Sequence, residues 1–548
     1  RPALVAEARR LAETVHPDAV EAWAAVARAA QAEGAELDAY DRAEIVDHQA
    51  IGLGPEGLGL FARAAELYEE AGDQGEALAA RARGASVHAF TGQVEAALAL
   101  VSEPYEKILV LFAEGGTGVR QTASVLVGRA RILMQRLDEA EGDDASAAAM
   151  AAAEEAAREL LALTEPHTAD VRVASRAAEA HGMLGELAAR GGDAAASAEL
   201  LARSAEAYVA AGLPWFAVEQ EARLTRAARH LGDLETAERA GRAALEHGGP
   251  YLELMGHAQL NLQLAEILGE TGQFAPAAEH ALQAAHWADE AGEGRALAAW
   301  ARHQLGGFLL RQGRWAEAAE VLESALPDLT AETHGDGAIV QTQWWLGDCL
   351  TELGEHRDAA VRWSQAAEIA RHWPEQRDHA MLAHLAAEAL GNAGLPTEAG
   401  QAFARAGELW RELGNVHGLV RALRARAWIV AREEEGLDRA RELMAEAVAE
   451  CEAVLGAGPG DDSDPDSDSD SGDGEEARRR TLAELGQSYR QFGDLVARSV
   501  PEDAEGDAVR PAFEEALGHL ALAIGAYGAL GEAGLDARTG AELAAGWL

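Results

Sequence analysis

The chain has 548 residues, 48% of them apolar and only 5% aromatic, with 93 acidic side chains against 46 basic ones and a formal net charge of −47. A field of that sign repels phosphate backbones and anionic membrane surfaces, so no direct partner of either kind is expected. The longest apolar runs, such as Ala521 to Ala526, fall far short of a membrane span, and no basic-then-apolar leader opens the chain. Cys349 and Cys451 are too few for a disulfide framework, which makes the cytoplasm the expected compartment.

Taken in order, residues 1–50 hold two helical stretches. Pro17 and Asp18 open one of them, and Trp23, Val26, Ala27, Ala30, Gly34 and Ala39 mark its apolar face and turn. Gly52, Gly54, Gly57 and Gly59 follow, but with no Lys-Ser/Thr pair after them they read as a helix connection, not a phosphate loop. Leu60 to Gly72 and Gln74 to Gly92 form a helical hairpin with Tyr68 on its apolar face. Beyond Pro104 the pattern loosens: Glu114 to Gly118 is a turn, Leu137 to Ser146 is an acidic connection, and Gly92, Gly142 and Gly192 step by 50 residues.

From about Ala180 to Met444 one pattern returns seven times. A turn residue is followed five positions later by a small one: Gly192–Ser197, Gly232–Ala237, Gly272–Ala277, Gly313–Ala318, Gly354–Ala359, Gly394–Ala399 and Glu435–Ala440. The markers step by 40, 40, 41, 41, 40 and 41 residues. Around Gly313 the apolar residues Leu305, Leu309, Trp315, Ala318, Leu322 and Ala325 recur at three- and four-residue steps, which is helix periodicity on both sides of a break. A second turn falls 20 residues after Gly192, Gly272 and Gly394, so each repeat is two helices of similar length. One hairpin cannot bury its own apolar face, so neighbours must stack into a solenoid.

These positions resemble the tetratricopeptide repeat family, in the long-period form found in bacterial regulators. The period here is nearer 40 residues than the family's usual ~34, and no repeat carries a complete consensus. The resemblance implies an all-α, right-handed α-α superhelix of about ten to twelve helical pairs. It further implies a non-catalytic scaffold that binds a protein or peptide on the face lined by the first helix of each pair.

The run from Gly456 to Glu476 contains Asp461 to Asp470, alternating Asp and Ser with no apolar anchor, and is expected to be disordered. Its glycine is out of place for a calcium loop. Helical pattern resumes at Leu482, Leu485, Gly486, Tyr489 and Gly493, with a partner helix from Pro511 to Gly531 and an end helix from Asp536. The expected divisions are 1–103, an irregular 104–179, the regular 180–455, the insertion 456–476, and 477–548.

No catalytic motif or cofactor fingerprint is present, so neither enzyme activity nor a cofactor is expected. His379, His384 and Glu388 are close enough in sequence for a weak metal site, with a solvated surface the better reading. If the first helices line the binding face, positions six, nine and ten before each turn marker supply it. That row gives Arg223, Arg226, Gln263, Glu266, His303, Gln304, Trp344, Trp345, Asp348, His384 and Glu388 as partner-binding candidates. One of the two adjacent tryptophans should be core and the other an anchor, with Arg223 and Arg226 taking an acidic group of the partner. The alternative is that both tryptophans are core and the arginines offset Glu219 and Glu221. The acidic field would also steer a basic partner, and self-association stays open. The chain opens at Arg1, which leaves room for a regulatory module upstream and a sensor-arm role. A small-molecule site or enzyme is the third reading.

Overall fold

In a computed structural model the protein is described for residues 2–34, 36–433, 435–456, 471–500 and 509–548. Most of the Asp/Ser insertion, 457–470, lies outside the described residues. Among those described there is no strand, and no helix is long and apolar enough to cross a membrane.

The chain divides into two units, Arg1–Gln273 and Phe274–Leu548. The first holds α1 (Pro2–Glu13), α2 (Ala19–Glu33), α3 (Ala39–Leu53), α4 (Leu58–Glu70), α5 (Gln74–Phe90) and α6 (Val94–Ala113). It continues with α7 (Val119–Asp138), α8 (Asp143–Thr164), α9 (Val171–Arg190), α10 (Ala194–Ala210), α11 (Pro214–His230), α12 (Leu234–Gly248) and α13 (Leu254–Glu270). The second holds α14 (Phe274–Glu290), α15 (Arg295–Arg311), α16 (Trp315–Ala325), the single turn α17 (Ala331–His334), α18 (Asp336–Glu352), α19 (His356–Ala370) and α20 (Arg377–Asn392). After these come α21 (Pro396–Glu412), α22 (Val416–Val430), α23 (Leu437–Gly456), α24 (Ser471–Arg498), α25 (Arg510–Gly528) and α26 (Leu535–Trp547). Consecutive helices pack as antiparallel hairpins, α1/α2 through α11/α12 in one unit and α15/α16 through α24/α25 in the other. The architecture is all-α and built of paired helices, as in a tetratricopeptide-like solenoid.

The turn chemistry explains the periodicity. All seven turn markers, Glu435 included, have left-handed backbone, with φ between +62° and +82°. The amide one residue past the marker then reaches back five residues, as from Asp193 to the Ala188 carbonyl and from Asp233 to the Ala228 carbonyl, both at 2.9 Å. That same residue opens the next helix. The Asp193 carboxylate accepts from the Ala196 amide at 2.9 Å and Asp233 from the Thr236 amide at 3.0 Å. Such a cap is worth about 1 kcal/mol.

In several hairpins the residue seven before the marker faces the residue nine after it, and their sizes are complementary. Gly185 lies under Leu201, Gly306 under Leu322 and Gly347 under Trp363, each so close that an added Cβ would crowd or overlap the larger side chain. Thr225 against Gly241 reverses the sizes, and Ala387 with Phe403 is intermediate. The core is therefore thin and made of Ala, Leu and a few large rings fitted into small-residue notches.

In the first unit the first helices of successive hairpins are also tied by polar links. Arg9 donates to Asp41 and Glu44, Arg83 to Asp47 and Ser124, Arg131 to Glu179, Arg223 to Glu186, and Arg229 to Glu266 and Glu270. His16 meets the Trp215 ring at 5.7 Å and Val15 packs beside it, so the first hairpin lies against the start of α11. Some of these links are shielded from solvent: the carboxylates of Asp47 and Glu179 are 5% and 17% exposed.

Candidate functional site

The candidate positions sort by their place on the helix. Residues six and nine before the marker are three apart and share a stripe; so do those seven and ten before it. Because position seven is the notch that receives the second helix, position ten is packed as well. His303 and His384, expected on the binding face, are accordingly buried at 1% and 6% exposure. Trp344, also at position ten, is half-buried, and its carbonyl accepts the indole N–H of Trp363 at 3.2 Å. The six-and-nine stripe is more open: Gln263, Glu266, Gln304, Trp345, Asp348 and Glu388 are half-buried, and Arg226 is exposed.

In the second unit these residues are largely engaged with one another. The His303 ring stacks between Trp300 at 4.9 Å and Trp345 at 4.7 Å, and its Nδ1 lies 2.7 Å from the Thr342 hydroxyl. Burial holds its pKa down to about 4. Trp345 lies across Gly307, where an added Cβ would sit 2.8 Å from the ring. Neither tryptophan is core; Trp345 is part of an aromatic stack. Asp348 is pushed up to about 6 by burial and then by Glu352. His384 pairs with Glu388 at 3.2 Å, and that hydrogen bond holds the Glu388 carboxyl below its usual range. His379 turns instead to Gln376 at 3.0 Å. Among the described residues no group of three or more His, Cys, Asp or Glu could hold a metal. Cys349 and Cys451 are buried free thiols, pushed up to about 11 and about 12 by burial.

In the first unit the stripe opens onto a groove of about 500 Å³, lined by the ends of α9 and α11 and the start of α10. Arg223 donates to Glu186 across the groove and to Glu219 on its own helix at 2.7 Å. Burial works against ionisation of Glu186, but Arg223 and Arg190 outweigh it and hold the carboxyl low. Arg229, on the far side, is tied to Glu266 and Glu270. Arg226 lies between these two arginines, exposed and without an ion pair or hydrogen bond to another described side chain. His230 lies one turn beyond it, also exposed. Ser197 lines the same groove at 1% exposure, and its hydroxyl has no hydrogen-bond partner among the described residues. Ser197 and His230 were not among the residues expected from sequence, although a signal existed. Of the seven small residues five after a marker, six are Ala and only this one carries a hydroxyl.

Comparison with known proteins leaves the family open. No family model and no curated protein matches the chain. Among solved structures it is similar to the apo form of the quorum sensor NprR from B. thuringiensis, at 15% identity and TM-score 0.32 over 67% of this chain and 98% of that one. It is also similar to the C-terminal part of a TPR repeat-containing protein from Cytophaga hutchinsonii, at 13% identity and TM-score 0.36 over 49% and 98%. BtubC from P. vanneervenii gives 20% identity and TM-score 0.32 over 41% and 90%.

Proposed function

We propose that the protein is a non-catalytic, cytoplasmic scaffold whose α9–α11 groove holds an acidic group of a protein or peptide partner. The observation that carries this reading is Arg226. In a chain with twice as many acids as bases, its neighbours Arg223 and Arg229 are each tied to two carboxylates, while Arg226 stands in the groove with none. A partner carboxylate would meet a guanidinium that matches it in a two-pronged pair, with His230 and the Ser197 hydroxyl as further donors. The chain's own acidic field keeps such a partner away unless one group is locally favoured, so specificity comes with the pairing.

The test is selection of random dodecapeptides on the immobilised full chain, followed by affinity measurement against Arg226→Glu. Selected peptides should be rich in Asp, Glu or a free C-terminus. The reversal should weaken them by at least about tenfold, roughly 1.4 kcal/mol. Peptides that bind Arg226→Glu as tightly as the unmodified chain would place the binding surface elsewhere.

A further inference from the structure

Helix α11 carries a second groove that the first reading does not use. Glu221 and Leu224 lie roughly opposite Arg223, Arg226 and His230 at 100° per residue, so the two grooves flank the helix independently. This second groove has a volume of about 430 Å³, within the size range of small-ligand sites, and lies between α10, α11 and α12. Its walls are Ala202, Ala205 and Val209 from α10, Leu224 from α11, and Ala240 and Ala243 from α12. Val209 is 41% exposed despite its apolar side chain.

At the base sits Glu221, its side chain 6% exposed. One carboxylate oxygen is held by His247 Nδ1 at 2.8 Å. The other, Oε2, is buried and receives no hydrogen bond from any described residue. Burial raises the Glu221 pKa, His247 pulls it down, and Glu246 adds to the rise. At the rim stand Glu206 and Arg239, the latter donating to the Thr236 hydroxyl at 3.1 Å. The pair is peculiar to this repeat. At the position of Glu221, eleven before the marker, the other repeats carry His181, Asn261, Arg302, Gln343, Ala383 and Arg424; at that of His247, fifteen after it, they carry Ala207, Trp287, Asp328, Ile369, Leu409 and Glu450.

We infer that this groove binds a protonated primary alkylamine, its ammonium donating to Glu221 Oε2 and its methylene stem lying along the alanine, leucine and valine walls. A buried carboxylate oxygen without a donor is costly, and an ammonium supplies both the hydrogen bond and the opposite charge. A narrow wall of small residues suits an unbranched stem better than a planar guanidinium. The chemistry is shared by a lysine side chain of a peptide and by a free alkylamine.

Isothermal titration of the full chain at pH 7.5 with n-butylamine and with N-acetyl-lysine methylamide tests this, using n-butanol and N-acetyl-norleucine methylamide as neutral controls. Saturable binding of the amines, at least about tenfold tighter than the controls, is expected. It should be lost in Glu221→Gln, which keeps an acceptor for His247, and in Ala240→Leu, which fills the groove and leaves Glu221 in place. Tighter binding of the lysine amide identifies a peptide source, and tighter binding of butylamine a free amine. Circular dichroism of both variants confirms that they fold. Absence of saturable binding, equal binding of amines and controls, or amine binding unchanged in folded Glu221→Gln would each overturn the inference. None of these outcomes bears on Arg226, so this test and that of the α9–α11 groove fail separately.

Discussion

Glu435 shows how strongly position can override residue type. It is the one turn marker that is not glycine, yet its φ is +62°. A left-handed L-residue costs about 1–2 kcal/mol, and glycine returns part of that in unfolded-state entropy. Glu435→Gly is therefore expected to stabilise the second unit by about 0.5–1 kcal/mol, read from urea unfolding; a loss would mean the side chain makes a compensating contact. Asp348 gives a pH prediction. Its folded pKa, about 6, lies above the ordinary aspartate value. Stability linked to it is present below the unfolded pKa near 4 and lost as pH rises through about 6. Asp348→Asn should raise the melting temperature at pH 7.5 and leave it nearly unchanged at pH 4. An equal shift at both values would point to packing instead. At this scale the sequence was partly legible. The half-exposure of Arg223, Gln263, Gln304 and Trp345 follows from their spacing to the turn. The burial of His303 and His384 follows from spacing only once position seven is known to be the notch, and even then Trp344 at the same position stays half-buried.

At the scale of the helix, the repeat is set by two devices: a left-handed turn that doubles as a cap, and a small-residue notch under a large side chain. The first was legible from glycine spacing alone, and its Asp193 and Asp233 caps are a refinement of it. The second was not. Gly306 and Gly347 recur at one place in the repeat, but which side chains fill the space they leave, Leu322 and Trp363 sixteen residues on, is seen only in the structure. Gly306→Ala should cost about 1–3 kcal/mol through overpacking. Leu322→Ala should cost about 2–5 kcal/mol through the void it leaves. Combined, the two should cost clearly less than their sum, because the added methyl enters the vacated space. Strict additivity in urea unfolding would show that the pair does not share one packing volume. At Gly241 the larger side chain in the notch is Leu264 of α13, with Thr225 of its own hairpin in ordinary contact.

At the scale of the whole chain, charge is the dominant fact, and its effect on stability depends on range. The basic residues of the first unit are mostly spent at short range, as in Arg83 with Asp47, Arg131 with Glu179 and Arg229 with Glu270. The surplus of 47 negative charges has no such partners and repels itself through solvent over longer distances. Salt screens exposed charges beyond a Debye length of ~10 Å at 0.1 M and touches half-buried pairs much less. Raising sodium chloride from 20 to 500 mM should therefore raise the temperature at which helicity at 222 nm begins to fall. The onset, rather than a single midpoint, is the quantity to follow, because stacked hairpins need not unfold in one step. A fall in that temperature would mean that the exposed i,i+4 pairs, such as Arg203 with Glu199, contribute more than the long-range repulsion costs. The same titration checks the peptide-binding groove. Affinity for an acidic partner at Arg226 has two opposing salt terms, local attraction that weakens and chain-wide repulsion that weakens faster. Binding should thus hold or improve with moderate salt, whereas a partner drawn in only by the acidic field would be released.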